Sequence, residues 1–373
     1  MTKICILLAI AIALTNTSKG QSPTDTTGQS QLLVENLLEE LAEKEDLSEE
    51  ALENIADNLL NLIDNPVNLN DTLVENLSRL PISDLQVTSI IDYQREHGAL
   101  VSPYELPLIP GFDRDLAENM LPFVTVCPVA QGPVSRKTRS RLLLRYRRVL
   151  ELQRGYIPHE EGGPTDGYLG SPYGLLIKGR VQLPHNVTLG FTAEKDPGEQ
   201  LFRGGNPNGF DFYSGYLAAT RLGRVSQLVA GDFSANFGQG LTLWTGYSLG
   251  KAGLLIDPGK ISKSISPYSS TDENRFFRGV ATTVKLGKAE ISGFASHRYL
   301  DGNLASDTTG FSSYLSTGSH ATASEMTNKH TIGESAGGVR FTYSQGWVKV
   351  GLSGFAAETS KPFLPSTAPQ DLL

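Results

Sequence analysis

The chain has little cysteine, no excess of basic residues and no long apolar segment beyond its first residues. It contains only two cysteines in 373 residues, and one of them, Cys5, lies in the N-terminal apolar run. If that run is removed as a signal, Cys127 alone remains, which excludes a disulfide within the chain. The formal net charge of −8 gives no general attraction to nucleic acid. Packing or strand pairing must therefore stabilise the fold.

The N-terminus, MTKICILLAIAIALTNTSKGQ, has the pattern of a secretory signal peptide. Lys3 precedes an apolar run from Ile4 to Leu14, and small polar residues follow. The run is too short to cross a bilayer, so we expect residues 1–20 to be a cleaved signal peptide in preference to a buried helix. No comparable apolar run follows, which excludes a helical membrane protein. A membrane β-barrel is not excluded, because its strands alternate apolar and polar residues and contain no long apolar run.

An acidic helical region is predicted over residues 21–63. Leucines recur at helical spacing along its first half, and Ser48 is a predicted N-cap for a second apolar stripe. Between Glu35 and Glu53, nine acidic side chains accompany a single basic one, Lys44. We interpret them as a solvated helix face.

Residues 64–127 are expected to form a compact domain of short helices joined by tight turns. One helix starts after a turn at Pro81–Asp84 and ends at Gly98, and the next begins at Ser102. A turn at Pro110–Gly111 leads into a last helix over Arg114–Met120. Asn70 or Asp71 is expected to cap the helix that comes before these.

Three segments of this domain, VNLNDTLVENLSRLP, IIDYQREHGALVSPYEL and IPGFDRDLAENMLPFVTV, resemble a tandem helix-hairpin-helix domain of the competence DNA-receptor type. In that family a glycine–hydrophobic–glycine hairpin turns backbone N–H groups toward a DNA phosphate. The resemblance implies phosphate contacts at Gly111, Phe112 and Arg114. It also implies that the basic side chains of Arg79 and Arg95 contact DNA phosphates.

The hairpins of this sequence depart from the family pattern. The first, Pro81-Ile82-Ser83-Asp84, has neither glycine, and Asp113 stands where the second hairpin should have its second glycine. A carboxylate there would cap the following helix and repel a phosphate. Non-specific DNA affinity also needs several Lys or Arg contacts, which nearby acids offset. DNA binding is therefore disfavoured, and a scaffold or a module for a periplasmic protein partner is expected.

Residues 137–373 change to the two-residue alternation of β-strands. The candidate strands are Arg141–Leu152, Tyr173–Leu183, Asn186–Lys195, Tyr213–Arg221, Gln227–Phe233, Phe277–Leu286, Ala289–His297, VRFTYS and WVKVGLSGF. Apolar residues are expected to face outward and polar residues inward, as in an outer-membrane barrel. Charges on the polar face, aromatic residues at strand ends and export favour the barrel over a water-soluble sandwich or solenoid. The end KPFLPSTAPQDLL lacks a closing strand, so we expect an incomplete barrel and a truncated chain.

A second resemblance covers the β-rich region. GFTAEKDPGEQLF, GFDFYSGYL and GDFSANFGQGLTLWTGYSLGKAG are similar to segments of long envelope proteins of Bacteroidetes-type bacteria. Those proteins join a helix-hairpin-helix region to a β-rich C-terminal region, which implies an architecture more than an activity. The predicted fold class is a multidomain α+β chain, with a small all-α domain before an antiparallel all-β, barrel-like region.

No catalytic, cofactor-binding or metal site is predicted. The six histidines lack metal-ligand spacing, and no nucleophile elbow or P-loop is present. We interpret the acids of EKDPGEQ, residues 194–200, as a polar turn at a barrel rim. The basic block between Arg136 and Arg154 is interpreted as lumen and membrane interface rather than as a nucleic-acid surface. Within it, Arg148 falls on the otherwise apolar face.

The sequence thus predicts a non-enzymatic protein of the outer membrane and periplasm that contacts membrane lipid and has no cofactor. Its first rival is a DNA-uptake receptor, and its second is a pore for small solutes.

Overall fold

The computed structural model describes residues 66–70, 80–82, 84–127, 138–158, 166–238, 264–305, 309–345 and 348–364, with positions 34, 56, 59, 62, 63, 77 and 243. The chain divides into two compact units. One is mainly helical, within residues 17–133 and 235–264, and the other holds a large sheet, within 134–234 and 265–373. The predicted signal peptide, most of the acidic region and Arg79 lie outside the described residues.

Four helices of the helical unit have described bounds, and the described positions 34, 56, 59, 62, 63 and 77 are helical as well. The four are α1 (Asp84–His97), a 3-10 helix (Pro103–Leu108), α2 (Arg114–Met120) and a second 3-10 helix (Leu121–Phe123). A parallel ladder pairs β1 (Val67–Asn68) with β2 (Val124–Thr125), so the two ends of this stretch are joined. Its core includes Leu69, Leu77, Ile90, Leu106 and Phe123. No helix among the described residues is long and apolar enough to cross a membrane.

The helix boundaries follow local signals in the sequence. Gly98 ends α1 with a φ of +89°, and its N–H donates to the carbonyl of Gln94 at 2.9 Å. Ser102 caps the first 3-10 helix, as predicted. The buried amide of Asn70 donates to the Leu100 carbonyl at 2.9 Å and accepts from the Leu100 N–H at 2.8 Å. Asn70 therefore joins its own segment to the segment at Leu100. The identity of the unit as a helix-hairpin-helix domain stays a prediction.

The second unit is built on a ten-stranded sheet. Its strands and those of a separate hairpin are β3 (Arg139–Arg148), β4 (Tyr173–Leu183), β5 (Val187–Lys195), β6 (Phe212–Leu222), β7 (Val225–Ala235), β8 (Ile265–Pro267), β9 (Phe277–Leu286), β10 (Ala289–Leu300), β11 (Gly302–Leu304), β12 (Phe311–Tyr314), β13 (Ile332–Gln345) and β14 (Val348–Thr359). The order is β14-β13-β10-β9-β7-β6-β5-β4-β3, with β8 beside β7 and with β11 and β12 pairing apart. The predicted antiparallel β region is thereby confirmed.

The sheet is not closed. It ends at β3 and β14, and these two strands do not pair with each other within the described residues. The closed form of the predicted barrel is thus not seen. In the part of the chain that the structure describes, each end strand has a neighbouring strand on its inner side alone, and its outer backbone N–H and C=O groups face no strand there.

The two faces of the sheet differ in polarity, and it is the apolar face that is exposed. Leu189 pairs with Leu217 and Ile291 with Phe341, and all four side chains are at least 37% exposed. On the other face the small polar and charged side chains are buried, including Thr192, Ser214, Thr283, Ser292, Arg340 and Thr342. We call these the exposed face and the buried face. A sheet with one face in water normally shows the reverse arrangement.

Connections at the two ends of the sheet differ in length. At one end, strands are joined through residues 184–186, 223–224, 287–288 and 346–347. At the other end the connections run through 149–172, 196–211, 236–276 and 301–331. We call the second end the long-loop end. It carries α3 (Ala323–Asn328) and the buried polar cluster described next.

Candidate functional site

A buried histidine at the long-loop end lies between two aspartates. Nδ1 of His320 lies 2.5 Å from a carboxylate oxygen of Asp211, and Nε2 lies 2.9 Å from one of Asp301. All three residues are buried. Asp211 directly precedes β6, Asp301 directly follows β10, and His320 lies between β12 and α3. Burial alone would lower the pKa of His320, but hydrogen bonds to the two aspartates and their charges raise it to about 9.

Asp211 also binds a half-buried cation and a buried amide. Its Oδ1 accepts from Lys329 Nζ at 2.7 Å and from Asn206 Nδ2 at 2.6 Å. Burial raises the pKa of Asp211, but the bonds and charges of His320 and Lys329 outweigh it and lower the pKa to about 2. Asp211 is therefore an ionised carboxylate that bonds three side chains.

Glu199 lies beside this pair and is almost completely buried, at 1% exposure. Its carboxylate accepts from the backbone N–H of Asp196 at 2.8 Å and from that of His320 at 3.0 Å. Burial, followed by the charge of Asp211, raises the pKa of Glu199 to about 8. The carboxyl thus links the backbone at Asp196 to the backbone at His320.

Glu273 contributes a further carboxyl to the cluster. A carboxylate oxygen of Glu273 lies within 4.8 Å of a carboxylate oxygen of Asp301 and of a ring nitrogen of His320, and those two atoms are equally close to each other. Burial, followed by the charges of Asp211, Glu199 and Asp301, raises the pKa of Glu273 well above its ordinary value. Among the described residues no hydrogen bond reaches this carboxyl, in contrast to Glu199, Asp211 and Asp301.

Close backbone contacts between loops hold the cluster in place. Gly170 N–H donates to the carbonyl of Gly198 at 2.7 Å, and Gly198 N–H donates to that of Ser171 at 2.9 Å. A Cβ on Gly170 would lie 1.6 Å from the carbonyl oxygen of Glu199, so only glycine permits this approach. Asp166 accepts from the backbone N–H groups of Ala323 and Ser324 at 3.1 Å each.

The cluster offers two kinds of chemistry. It can hold a proton, since His320 bridges two carboxylates, or it can ligate a cation, since imidazole nitrogen and carboxylate oxygens converge. Within the described residues, two groups have metal-ligand spacing: Glu199, Asp211 and His320 form one, and Glu273, Asp301 and His320 form the other.

This cluster was not predicted from the sequence. EKDPGEQ was interpreted as a polar turn, yet Lys195 is fully buried. Its Nζ donates to the carbonyls of Tyr173 at 2.6 Å, Asp196 at 2.9 Å and Ser171 at 3.2 Å. The histidine and its partners are separated by 109 and 19 residues, which no motif spacing covers. The one available signal was the length of the loops, because long loops in compact domains are usually functional.

The residues predicted to contact DNA lie in the helical unit, and the structure brings three of them together. Gly111 turns the chain with a φ of +89°, Phe112 packs into the core, and Arg114 starts α2. Arg114 is paired with Glu118 at 2.9 Å, and Arg95 is paired with Asp92 at 2.9 Å.

The predicted capping role of Asp113 is confirmed. It is the N-cap of α2, and its Oδ1 accepts from the backbone N–H of Leu116 at 2.8 Å. Phe112 N–H donates to the carbonyl of Ile109 at 3.1 Å. Two N–H groups around this turn are therefore already bonded, and a carboxylate lies at the helix start.

The basic block keeps its predicted alternation on β3. Arg141, Arg145 and Arg147 share one face, and Arg147 lies 3.6 Å from Asp196 at the long-loop end. Arg148 is exposed and alternates with these three, on the same face as Leu144 and Tyr146.

Comparisons with protein-family models, with curated proteins and with solved structures gave no match.

Proposed function

We propose that this chain is a non-enzymatic cell-envelope protein whose sheet lies in the outer membrane and whose helical domain at residues 64–127 is a periplasmic scaffold or interaction module. The observation that carries the proposal is the reversed polarity of the sheet. Leu217 and Val280 are 46% and 53% exposed, while Thr283 and Ser292 are 2% and 1% exposed. Lipid would remove the exposed apolar side chains from water.

Membrane strands alternate in this sense, with apolar side chains toward lipid and polar side chains toward the interior. In a water-soluble protein, contiguous apolar patches above a few hundred Å² mark interaction sites. Here the apolar rows run across neighbouring strands, as in Leu189–Leu217 and Ile291–Phe341. A lipid environment accounts for their extent without a separate partner for each row.

The unequal ends of the sheet also support the proposal. Outer-membrane strands are connected by short turns on the periplasmic side and by longer loops outside. The connection at residues 223–224 and the one at 301–331 stand at opposite ends in this chain. The long-loop end, with His320, is therefore assigned to the outer surface.

The proposal requires partners for β3 and β14. Lipid offers no hydrogen bonds, so an open edge is not tolerated in the hydrocarbon layer. These strands would pair with each other or with further strands when the protein is inserted.

For the helical unit, the contacts favour a scaffold or a protein-binding module over a DNA receptor. Asp113 occupies the helix start where a phosphate would bind, and Arg95 and Arg114 have acidic partners. A solute pore gains no support either, because Phe277, Phe294 and Phe355 stack on the buried face with centroid distances of 4.8–6.4 Å.

The membrane assignment is tested with the full chain folded into lipid vesicles. We expect gel migration to change on heating, and protease digestion from outside to spare the strands. Unchanged migration, together with recovery of the protein in the aqueous fraction, would contradict the assignment.

The DNA alternative has its own test. We expect duplex DNA to bind the full chain no better than millimolar at low salt, and Asp113→Gly to strengthen binding. Tight, salt-dependent binding by the natural chain would favour the receptor instead.

A further inference from the structure

We propose that Glu273, Asp301 and Nε2 of His320 bind one divalent transition-metal ion, such as Zn²⁺, which cross-links two of the long connections, 236–276 and 301–331, at the long-loop end. This inference does not depend on the membrane assignment. It rests on the convergence of three ligand types, on the orientation of the histidine and on the side chain of Glu273.

The distances suit a metal after a small contraction. The three ligand atoms lie within 4.8 Å of one another, which places them at most about 2.8 Å from a common centre. Zinc bonds to nitrogen and oxygen are about 2.0–2.2 Å, so no atom would move inward by more than about 0.7 Å. All three residues lie in loops or at strand ends, where such a movement requires no change of strand register.

Asp211 prepares the histidine to be a ligand. It holds Nδ1 of His320 at 2.5 Å and is itself fixed by Lys329 and Asn206. A metal-binding histidine typically donates its other N–H to a carboxylate, which sets the tautomer and the ring orientation. Nδ1 therefore keeps its proton, and the proton on Nε2 leaves to solvent when the metal binds.

Glu273 provides the independent observation that points to a ligand. Its side chain is half-buried beside the acids of the cluster, and in the described part of the chain its carboxyl has no hydrogen bond. Gly318 leaves room for it, since a Cβ there would lie 3.0 Å from Glu273 Cγ. Withdrawing a carboxyl from water without a partner is costly, and a cation would offset that cost.

The other group with suitable spacing is a weaker candidate. Both oxygens of Glu199 accept backbone N–H groups, and Asp211 already has three side-chain partners. The mixed nitrogen and oxygen set favours Zn²⁺ over Ca²⁺, because Ca²⁺ takes oxygen ligands.

The test is a competition titration of the full chain, folded in detergent and treated with a chelator, against a chromophoric Zn²⁺ indicator. We expect one Zn²⁺ per chain, without displacement by millimolar Ca²⁺. Glu273→Gln should weaken Zn²⁺ binding at least 10-fold without changing the fold, because this carboxyl makes no bond that the amide would lose. Asp211→Asn should weaken it about 10- to 100-fold.

Glu358→Gln is the matched control, since Glu358 is an exposed carboxylate on β14. It should bind Zn²⁺ like the natural chain. The proposal is overturned if the natural chain binds no stoichiometric Zn²⁺, or if Glu273→Gln and Glu358→Gln bind it equally well.

Discussion

Placing an arginine on the exposed face distinguishes lipid from water around the sheet. Leu217 is the central residue of β6, and Leu286 is the last residue of β9. Their side chains share the exposed face and are 46% and 45% exposed. In water, Leu217→Arg and Leu286→Arg should therefore have similar, small effects, within about 0.5 kcal/mol. In a bilayer, arginine costs about 2–4 kcal/mol at the midplane and about 0–1 kcal/mol near the interface.

The assay is reversible denaturant unfolding of both variants in lipid vesicles, followed by tryptophan fluorescence. We expect Leu217→Arg to raise the equilibrium constant for unfolding about 5- to 700-fold more than Leu286→Arg does, because the two costs differ by about 1–4 kcal/mol and about 1.4 kcal/mol is a tenfold change. Equal effects of the two substitutions would refute a lipid-facing sheet, because only depth in the bilayer separates them.

Three further substitutions or conditions test the local geometry. Asp113→Ala removes the N-cap of α2 and should cost the helical unit about 0.5–2 kcal/mol in chemical denaturation followed by circular dichroism; no loss would mean that the cap is dispensable. Gly170→Ala should destabilise the sheet unit by at least about 1–3 kcal/mol, because its Cβ would overlap a backbone carbonyl, whereas Gly354→Ala, which meets nothing within 4 Å, should cost little in the same thermal melts. Stability should fall as pH rises from 6.5 to 9. The pKa of His320 is raised from 6.5 to about 9 in the folded state, so its protonation stabilises the fold fully below pH 6.5 and this stabilisation is lost as the pH rises through 9. The pKa of Glu199 is raised from 4.5 to about 8, and its ionisation lowers stability in the same direction. Unfolding midpoints that rise over this pH range, in metal-free buffer, would contradict the assignment.

The strands could be predicted where alternation was regular. Tyr173–Leu183 and Phe277–Leu286 match the predicted bounds. In β13 only the segment VRFTYS was predicted, because the residues before it, IGESAGG, carry glycines and lack alternation. Arg141–Leu152 was drawn too long at its end, since β3 stops at Arg148. Alternation therefore predicts the middle of a strand better than its ends.

The helices of the helical unit could be predicted from the residues that start and end them. Gly98, Ser102 and Asp113 act at short range, so the chemistry that ends or starts each helix is visible in the sequence itself. The cluster at the long-loop end is different in kind. Its partners meet only because the sheet aligns distant loops, and a sequence without the strand order gives no sign of which loops will meet.

The meander order of the sheet has a consequence for folding. Each long strand pairs mainly with its neighbours in the chain, so the sheet can grow by adding one hairpin after another at low loop-closure cost. The contact of His320 with Asp211 spans 109 residues and its contact with Glu199 spans 121. These bonds can form only after β6 to β10 are in register. The histidine therefore stabilises only a correctly assembled sheet.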